Sequence, residues 1–120
     1  MMYPHVIRLR EPWGRSELDS RVRHRRSFNW LNKLDQREQL WLVVESVADA
    51  GEFVCNDTLL GQVHQATSLA EFEITDLISA QNEITIDVAS RQRPADSPAI
   101  GAVRLEVRLG PVSVTAGRRD

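Results

Sequence analysis

The residues able to do chemistry in this chain are few and scattered. His5, His24 and His64 fall in separate stretches, with no helical or ribbon spacing to an acidic partner, so their pattern assembles no metal site. Cys55 is the only cysteine, which rules out an internal disulfide and a cysteine-based zinc site. It stands in the apolar run Phe53-Val54-Cys55 without a basic neighbour, as a small core residue does. The serines lack a G-x-S-x-G elbow, and the glycines are scattered singly instead of forming a phosphate loop. A glycosidase would need two carboxyl groups held roughly 5 to 10 Å apart in a cleft. Here the acids fall mostly on outward strand positions, and Glu45, the one acid beside a strongly apolar strand, stands at that strand's end. The chain therefore reads as a non-enzyme without metal or cofactor.

Binding chemistry is better represented. The run Arg21-Val22-Arg23-His24-Arg25-Arg26 could follow a phosphate backbone, but no interleaved aromatic platform accompanies it. It reads instead as an edge or surface strand whose arginines hinder edge-to-edge pairing, and nucleic acid is not expected as a partner. Trp13, Trp30 and Trp41 could each stack on the apolar face of a sugar ring. Trp30 and Trp41 sit in strand-like runs and read as core, whereas Trp13, between Pro12 and Gly14, reads as an exposed loop residue. Together with the loop residues Asn32, Asn56 and His64 it makes the candidate binding set Trp13, Asn32, Asn56 and His64.

The elements that would position these residues are strands. In Val103-Arg104-Leu105-Glu106-Val107-Arg108-Leu109 every odd position is apolar and every even one charged, as a strand with one wet face requires. Glu83-Ile84-Thr85-Ile86-Asp87-Val88 repeats the pattern, and His5-Val6-Ile7-Arg8-Leu9-Arg10 does so with Ile7 and Leu9 inward. Residues 39–47, QLWLVVESV, are apolar on both parities and suit a central strand covered on both sides. In residues 21–30 the second half reads as a strand, with His24 and Arg26 marring the inward parity of the first half. Asn56-Asp57, flanked by Phe53-Val54-Cys55 and Thr58-Leu59-Leu60, predicts a tight hairpin. The one helical candidate is residues 68–79, SLAEFEITDLIS, where a single capped turn around Thr75 and Asp76 is expected rather than a long helix.

Length and composition fit one soluble globular domain. The chain has 120 residues, 42% hydrophobic and 27% charged, with no run approaching the roughly 18 apolar residues of a membrane helix. The N-terminus meets charge before any apolar core of secretory length, so a cytoplasmic, unprocessed chain is expected, with no membrane partner. The net charge of −2 is unevenly spread. Residues 1–40 hold nine Lys/Arg against five Asp/Glu and the remainder six against twelve, a polarity that favours self-association with a second copy.

The order of these pieces resembles a known family. Val44-Glu45-Ser46-Val47, Val54-Cys55-Asn56-Asp57, Leu60-Gly61, Phe72-Glu73-Ile74-Thr75, Leu77-Ile78 and Asn82, leading into Ile84-Thr85-Ile86-Asp87-Val88, are similar to the N-terminal sugar-binding domain of glycoside hydrolase family 2, the β-galactosidase and β-glucuronidase family. Arg26-Ser27-Phe28-Asn29-Trp30 resembles that domain's preceding strand, and Gly101 with Arg104 its last one, so the likeness covers roughly residues 24–109. Asn56-Asp57 stands where the family puts its Asn-Gly hairpin. Two departures accompany it. The family's catalytic barrel has no counterpart in this sequence, and residues 91–100, RQRPADSPAI, replace a loop that in the enzymes is rich in Asp, Trp, Arg and Ser-Gly.

The resemblance implies an all-β, galactose-binding-domain-like jelly-roll sandwich of about eight strands over residues 1–120, its core formed by Leu40, Leu42, Val44, Phe53, Cys55, Phe72, Ile84, Ile86, Val103, Leu105 and Val107. It also implies a non-catalytic carbohydrate-binding module with a glycan as partner. The alternative is a protein-interaction or assembly module that retains the sandwich without the sugar, with a protein or a second copy as partner.

Overall fold

The computed structural model describes residues 5–10, 13–31, 33–90 and 98–110. None of these is helical, and no helix among them is long and apolar enough to cross a membrane. They form nine strands in chain order: β1 (Val6–Arg8), β2 (Gly14–Leu18), β3 (Arg21–Asn29), β4 (Glu38–Val47), β5 (Gly51–Cys55), β6 (Thr58–Val63), β7 (Thr67–Glu73), β8 (Gln81–Ala89) and β9 (Val103–Leu109). One sheet has the order β1-β9-β4-β7 and the other β2-β3-β8-β5-β6, and every pairing is antiparallel. The result is a β-sandwich.

Alternation explains how the sheets meet. Leu40, Leu42 and Val44 of β4 face Val107, Leu105 and Val103 of β9 in register, while Ile84, Ile86 and Val88 of β8 align with Cys55, Phe53 and Gly51 of β5. These side chains and Ile74 are buried in one layer. Each large one contributes about 1.5–3 kcal/mol by leaving water. Phe53 and Phe72 cross between the sheets with ring centroids 4.8 Å apart. Gly61 makes room for that crossing, because a Cβ there would lie 2.6 Å from the Phe72 ring. All the expected core residues except Phe72, which is half-buried, lie below the surface, and Cys55 is fully enclosed, with burial pushing its thiol up to about 11.

Several expectations need correction. Residues 68–73 of the helical candidate lie in strand β7, since Leu69, Ala70 and Phe72 gain a ladder against β4, while residues 75–77 form the single turn expected around Thr75 and Asp76. Strand β2 carries no alternating apolar signal, GRSEL, and forms because β3 offers it an unpaired edge. Strand β3 pairs with β8 along its whole length and with β2 from Arg21 to Arg25, so this stretch of the arginine run does not guard an edge. His24 belongs to the core, with Nδ1 3.3 Å from the Ile86 carbonyl. Ile7 remains 41% exposed, because β1 is a sheet edge.

The hairpin at Asn56-Asp57 is a tight turn with φ of 50° and 68°, both left-handed, as a two-residue type I′ connection requires. Asn56 does more than turn the chain. Its Nδ2 donates to the Leu77 carbonyl at 2.8 Å and to Asn82 Oδ1 at 2.9 Å, and its Oδ1 accepts from the Glu83 amide at 2.8 Å. Asn82, buried, in turn accepts from the Ser79 amide and donates to the Ser79 carbonyl. The two amides fasten the hairpin to the β7–β8 connection.

Charge on the outer faces is locally balanced. Arg23 grips Asp87 with two bonds of 2.8 and 2.9 Å, and Arg104 and Arg108 both hold Glu106. The Arg23 bonds keep the Asp87 carboxyl below the usual range, and Arg104 followed by Arg108 does the same for Glu106. A carboxylate whose native pKa is lowered adds stability above its unfolded value of about 4, and that stability is lost as pH falls through the native value. The urea midpoint is therefore expected to hold between about pH 7 and 5 and to fall below about pH 4. Asp87→Asn should be less stable at neutral pH and show a shallower acid slope; an unchanged slope would contradict the assignment.

A second prediction concerns Gly101, where a Cβ would lie 2.8 Å from the Glu45 carbonyl oxygen. Gly101→Ala is expected to cost about 1–3 kcal/mol in urea unfolding. Gly14→Ala, whose Cβ meets nothing nearer than 3.7 Å, should change stability by less than about 0.5 kcal/mol. Equal effects at both sites would remove the close-approach explanation.

Candidate functional site

The four residues singled out in the sequence do not converge. Asn32 lies outside the described residues. Asn56 sits in the hairpin with its amide committed to Leu77, Asn82 and Glu83, which leaves that side chain a structural part of the turn. His64 is exposed in the β6–β7 turn, beside a hollow of about 300 Å³ that also takes in Ser20, Gly51, Gln62 and Asp87. Trp13 stands apart from both, against the first and last strands.

Trp13 forms the wall of a cleft of about 650 Å³. The chain leaves β1 at Arg8, and the Leu9 amide donates to the Val103 carbonyl at 2.9 Å, which seats buried Leu9 on β9. Trp13 Nε1 then donates to the Leu9 carbonyl at 3.1 Å and fixes the indole. The ring packs against the core and is half-buried, not a freely exposed loop residue as its Pro-Trp-Gly setting suggested. Burying one side holds the ring in a single pose, which lowers the entropy that a stacking partner must overcome.

Polar groups surround that wall. Arg8, Arg10, Arg104 and Glu45 line the cleft with Trp13 and Gly101. Arg8 and Arg104 face each other across the β1–β9 ladder. Arg104 is held from two sides, with Nη1 2.5 Å from Glu45 and Nε 2.6 Å from Glu106. These bonds make Arg104 a rigid donor and point Glu45 along the cleft wall. Arg8 and Arg10 are exposed, and neither guanidinium has a partner among the described residues. On the far side of Trp13 a smaller hollow of about 110 Å³ is lined by Arg15, His24 and residues 98–101.

The arrangement can stack one face of a ring and offer several fixed or adjustable donors, with Glu45 as acceptor. Among the described residues no group of three or more His, Cys, Asp or Glu side chains could hold a metal ion. The basic run singled out in the sequence is consumed internally: Arg21 and Arg23 approach Asp87, Arg25 approaches Glu83, and Arg26 donates to the backbone carbonyls of Arg10 and Ser27. Of the other tryptophans, Trp41 lies on the outer face beneath Arg108, whose guanidinium is 4.6 Å from the ring centroid. Trp30 is half-buried at the opposite end, where its Nε1 finds no partner among the described residues.

Sequence reading found Trp13 but missed the arginines beside it. Alternation puts Arg8 and Arg10 on the polar parity of the first strand, and Arg104 on that of the last. Only the β1–β9 pairing brings them together, and pairing between the two ends of a chain leaves no trace in spacing.

No protein-family model matches the sequence, and no curated protein matches it. Solved structures do match in fold. The FMN-binding β-glucuronidase from Facaelibacterium prausnitzii L2-6 superposes with a TM-score of 0.68 at 19% identity, over 87% of this chain and 22% of that one. The β-D-glucuronidase of Dictyoglomus thermophilum gives 0.66 at 14% identity, over 87% and 28%. A putative β-galactosidase from Bacteroides fragilis gives 0.60 at 23% identity, over 77% and 16%. At these identities the likeness shows a shared fold, and the chain spans only 16–28% of the length of these three enzymes.

Proposed function

We propose that this chain is a non-catalytic carbohydrate-binding module, akin to the N-terminal sugar-binding domain of family 2 glycoside hydrolases. The observation that carries the reading is the Trp13 cleft. Its 650 Å³ falls within the range of small-ligand sites, roughly 300–1,000 Å³, and it combines a pinned aromatic face with fixed polar groups. The fold shared with segments of β-glucuronidases and a β-galactosidase supports it. Saccharides present just such a pair of surfaces, an apolar ring face and a rim of hydroxyls. Glu45, Gly61, Phe72, Asn82 and Arg104, on which the family resemblance rests, fall on strands β4 to β9.

A second reading, a protein-interaction or assembly module, draws on a different observation. The edge strand β1 leaves Val6 and Ile7 exposed at 54% and 41%, and Leu109 of its neighbour at 48%. Such an edge can accept another strand or a second copy.

Calorimetric titration of the full chain with galactosides and glucuronides is expected to give dissociation constants at or below about 1 mM, equivalent to roughly −4 kcal/mol. Trp13→Ala should weaken them at least tenfold with the circular dichroism of the sandwich retained, and Trp13→Phe should recover most of the loss. Absence of binding by every saccharide at millimolar concentration would remove the carbohydrate reading. Light scattering that finds a monomer at every concentration and salt level would remove self-assembly.

A further inference from the structure

We propose that the Trp13 cleft is one end of a longer groove, which follows the β1 edge to Trp30 and takes an oligosaccharide chain rather than a single sugar. This deepens the carbohydrate reading and rests on it. Three hollows adjoin along that edge. The Trp13 cleft of about 650 Å³ and a hollow of about 370 Å³ share Val6 as a wall. The second hollow in turn shares Trp30 and Leu34 with a third, of about 530 Å³, which reaches Thr75 and Ile78. A cleft made for one ring would close beyond Val6. Here the apolar wall continues through Ile7, Val107 and Leu34, and both Val6 and Ile7 keep exposed surface along it.

The register sets the spacing of the two indoles. Trp13 donates to the Leu9 carbonyl, and Leu9 is seated on Val103, whereas Trp30 shares its hollow with Val107. Val103 and Val107 are four residues apart on β9, about 13 Å at the rise of a strand, a length that roughly three linked pyranose rings cover. Each indole can then take the apolar face of a different ring, while the hydroxyls between them meet His5, Lys33 and Glu38 at the rim. Trp30 also differs from the other two tryptophans. Trp13 Nε1 donates to Leu9 and Trp41 Nε1 to Gln39, but Trp30 Nε1 is buried with no partner among the described residues. A buried donor left unpaired is a cost to the fold, and a ring without such a bond can tilt to meet a hydroxyl or ring oxygen that removes it.

The test titrates the full chain with β-linked galactose oligomers and with glucuronate oligomers, each series running from the single sugar to the hexamer. In the series that binds, affinity is expected to rise at least about tenfold between the single sugar and the tetramer, and to level off beyond it once the second indole is reached. Trp30→Ala should remove the rise, so that longer chains bind no better than the single sugar, whereas Trp13→Ala should weaken every length. A second readout needs no loss of the indole. In the unsubstituted chain, NMR should show the Trp13 indole N–H shifting with every length and the Trp30 N–H only with the trimer and longer, the signals being assigned with Trp13→Phe and Trp30→Phe. Equal affinity along the whole series, a rise that survives in folded Trp30→Ala, or a Trp30 signal unmoved by the hexamer would overturn the inference and leave the carbohydrate reading standing. Binding by no member of either series would overturn both readings together.

Discussion

Two sheets can share one dry layer only if the chain enters and leaves it with every backbone group paired, and the join between β4 and the segment before β9 is where this molecule meets that constraint. The Gly101 amide donates to the Glu45 carbonyl at 2.7 Å, the Glu45 amide to the Ala102 carbonyl at 2.9 Å, and the Ala48 amide to the Ala99 carbonyl at 2.8 Å. Ser46 takes a left-handed φ of 58° between them, an uncommon conformation for a serine that the flanking bonds hold in place. No side chain fits between Gly101 and Glu45, so the sequence must place a glycine there. This lacing seats β9 beside β4, and β9 in turn provides the edge on which β1 pairs. The cleft inherits its floor from it: Glu45, Gly101 and Arg104 all belong to the laced region.

Much of the sandwich was legible in the sequence because alternation is a local signal. Strands β8 and β9 have a strict period of two, β4 is apolar on both parities, and Asn56-Asp57 turns where its residue types allow positive φ. The exceptions have a common cause. Strand β2 owes its existence to the edge of β3, and β7 to the edge of β4; neither GRSEL nor TSLAEFE carries enough intrinsic preference to declare itself. His24 looked like a flaw in an apolar parity and is instead buried beside the Ile86 carbonyl. The candidate site was less legible than the fold. Trp13 could be picked out by its setting, but Asn56 reads identically as a turn residue or a ligand group until its partners are seen.

Val43 shows how the outer faces are built. It points away from the dry layer yet is fully buried, because Arg104 of β9 and Glu71 of β7 lie opposite it in register. Arg108 reaches across to Glu71 and stacks on Trp41. The charged ladder therefore works as a lid whose aliphatic stems cover apolar surface while the charged ends neutralise one another. Each exposed pair alone is worth little, and the network gains by fixing several side chains at once.

That economy is uneven along the chain. On β3 and β9 each outward guanidinium reaches an acid on its own strand or another, so its removal would disturb the sheet. On the segment from Arg8 to Arg10 the same residue type is repeated without acids, beside a like charge, at the mouth of a cleft. Arg8, Arg10, Arg15 and Arg37 have no ion pair among the described residues, so removing their side chains costs the sheet none.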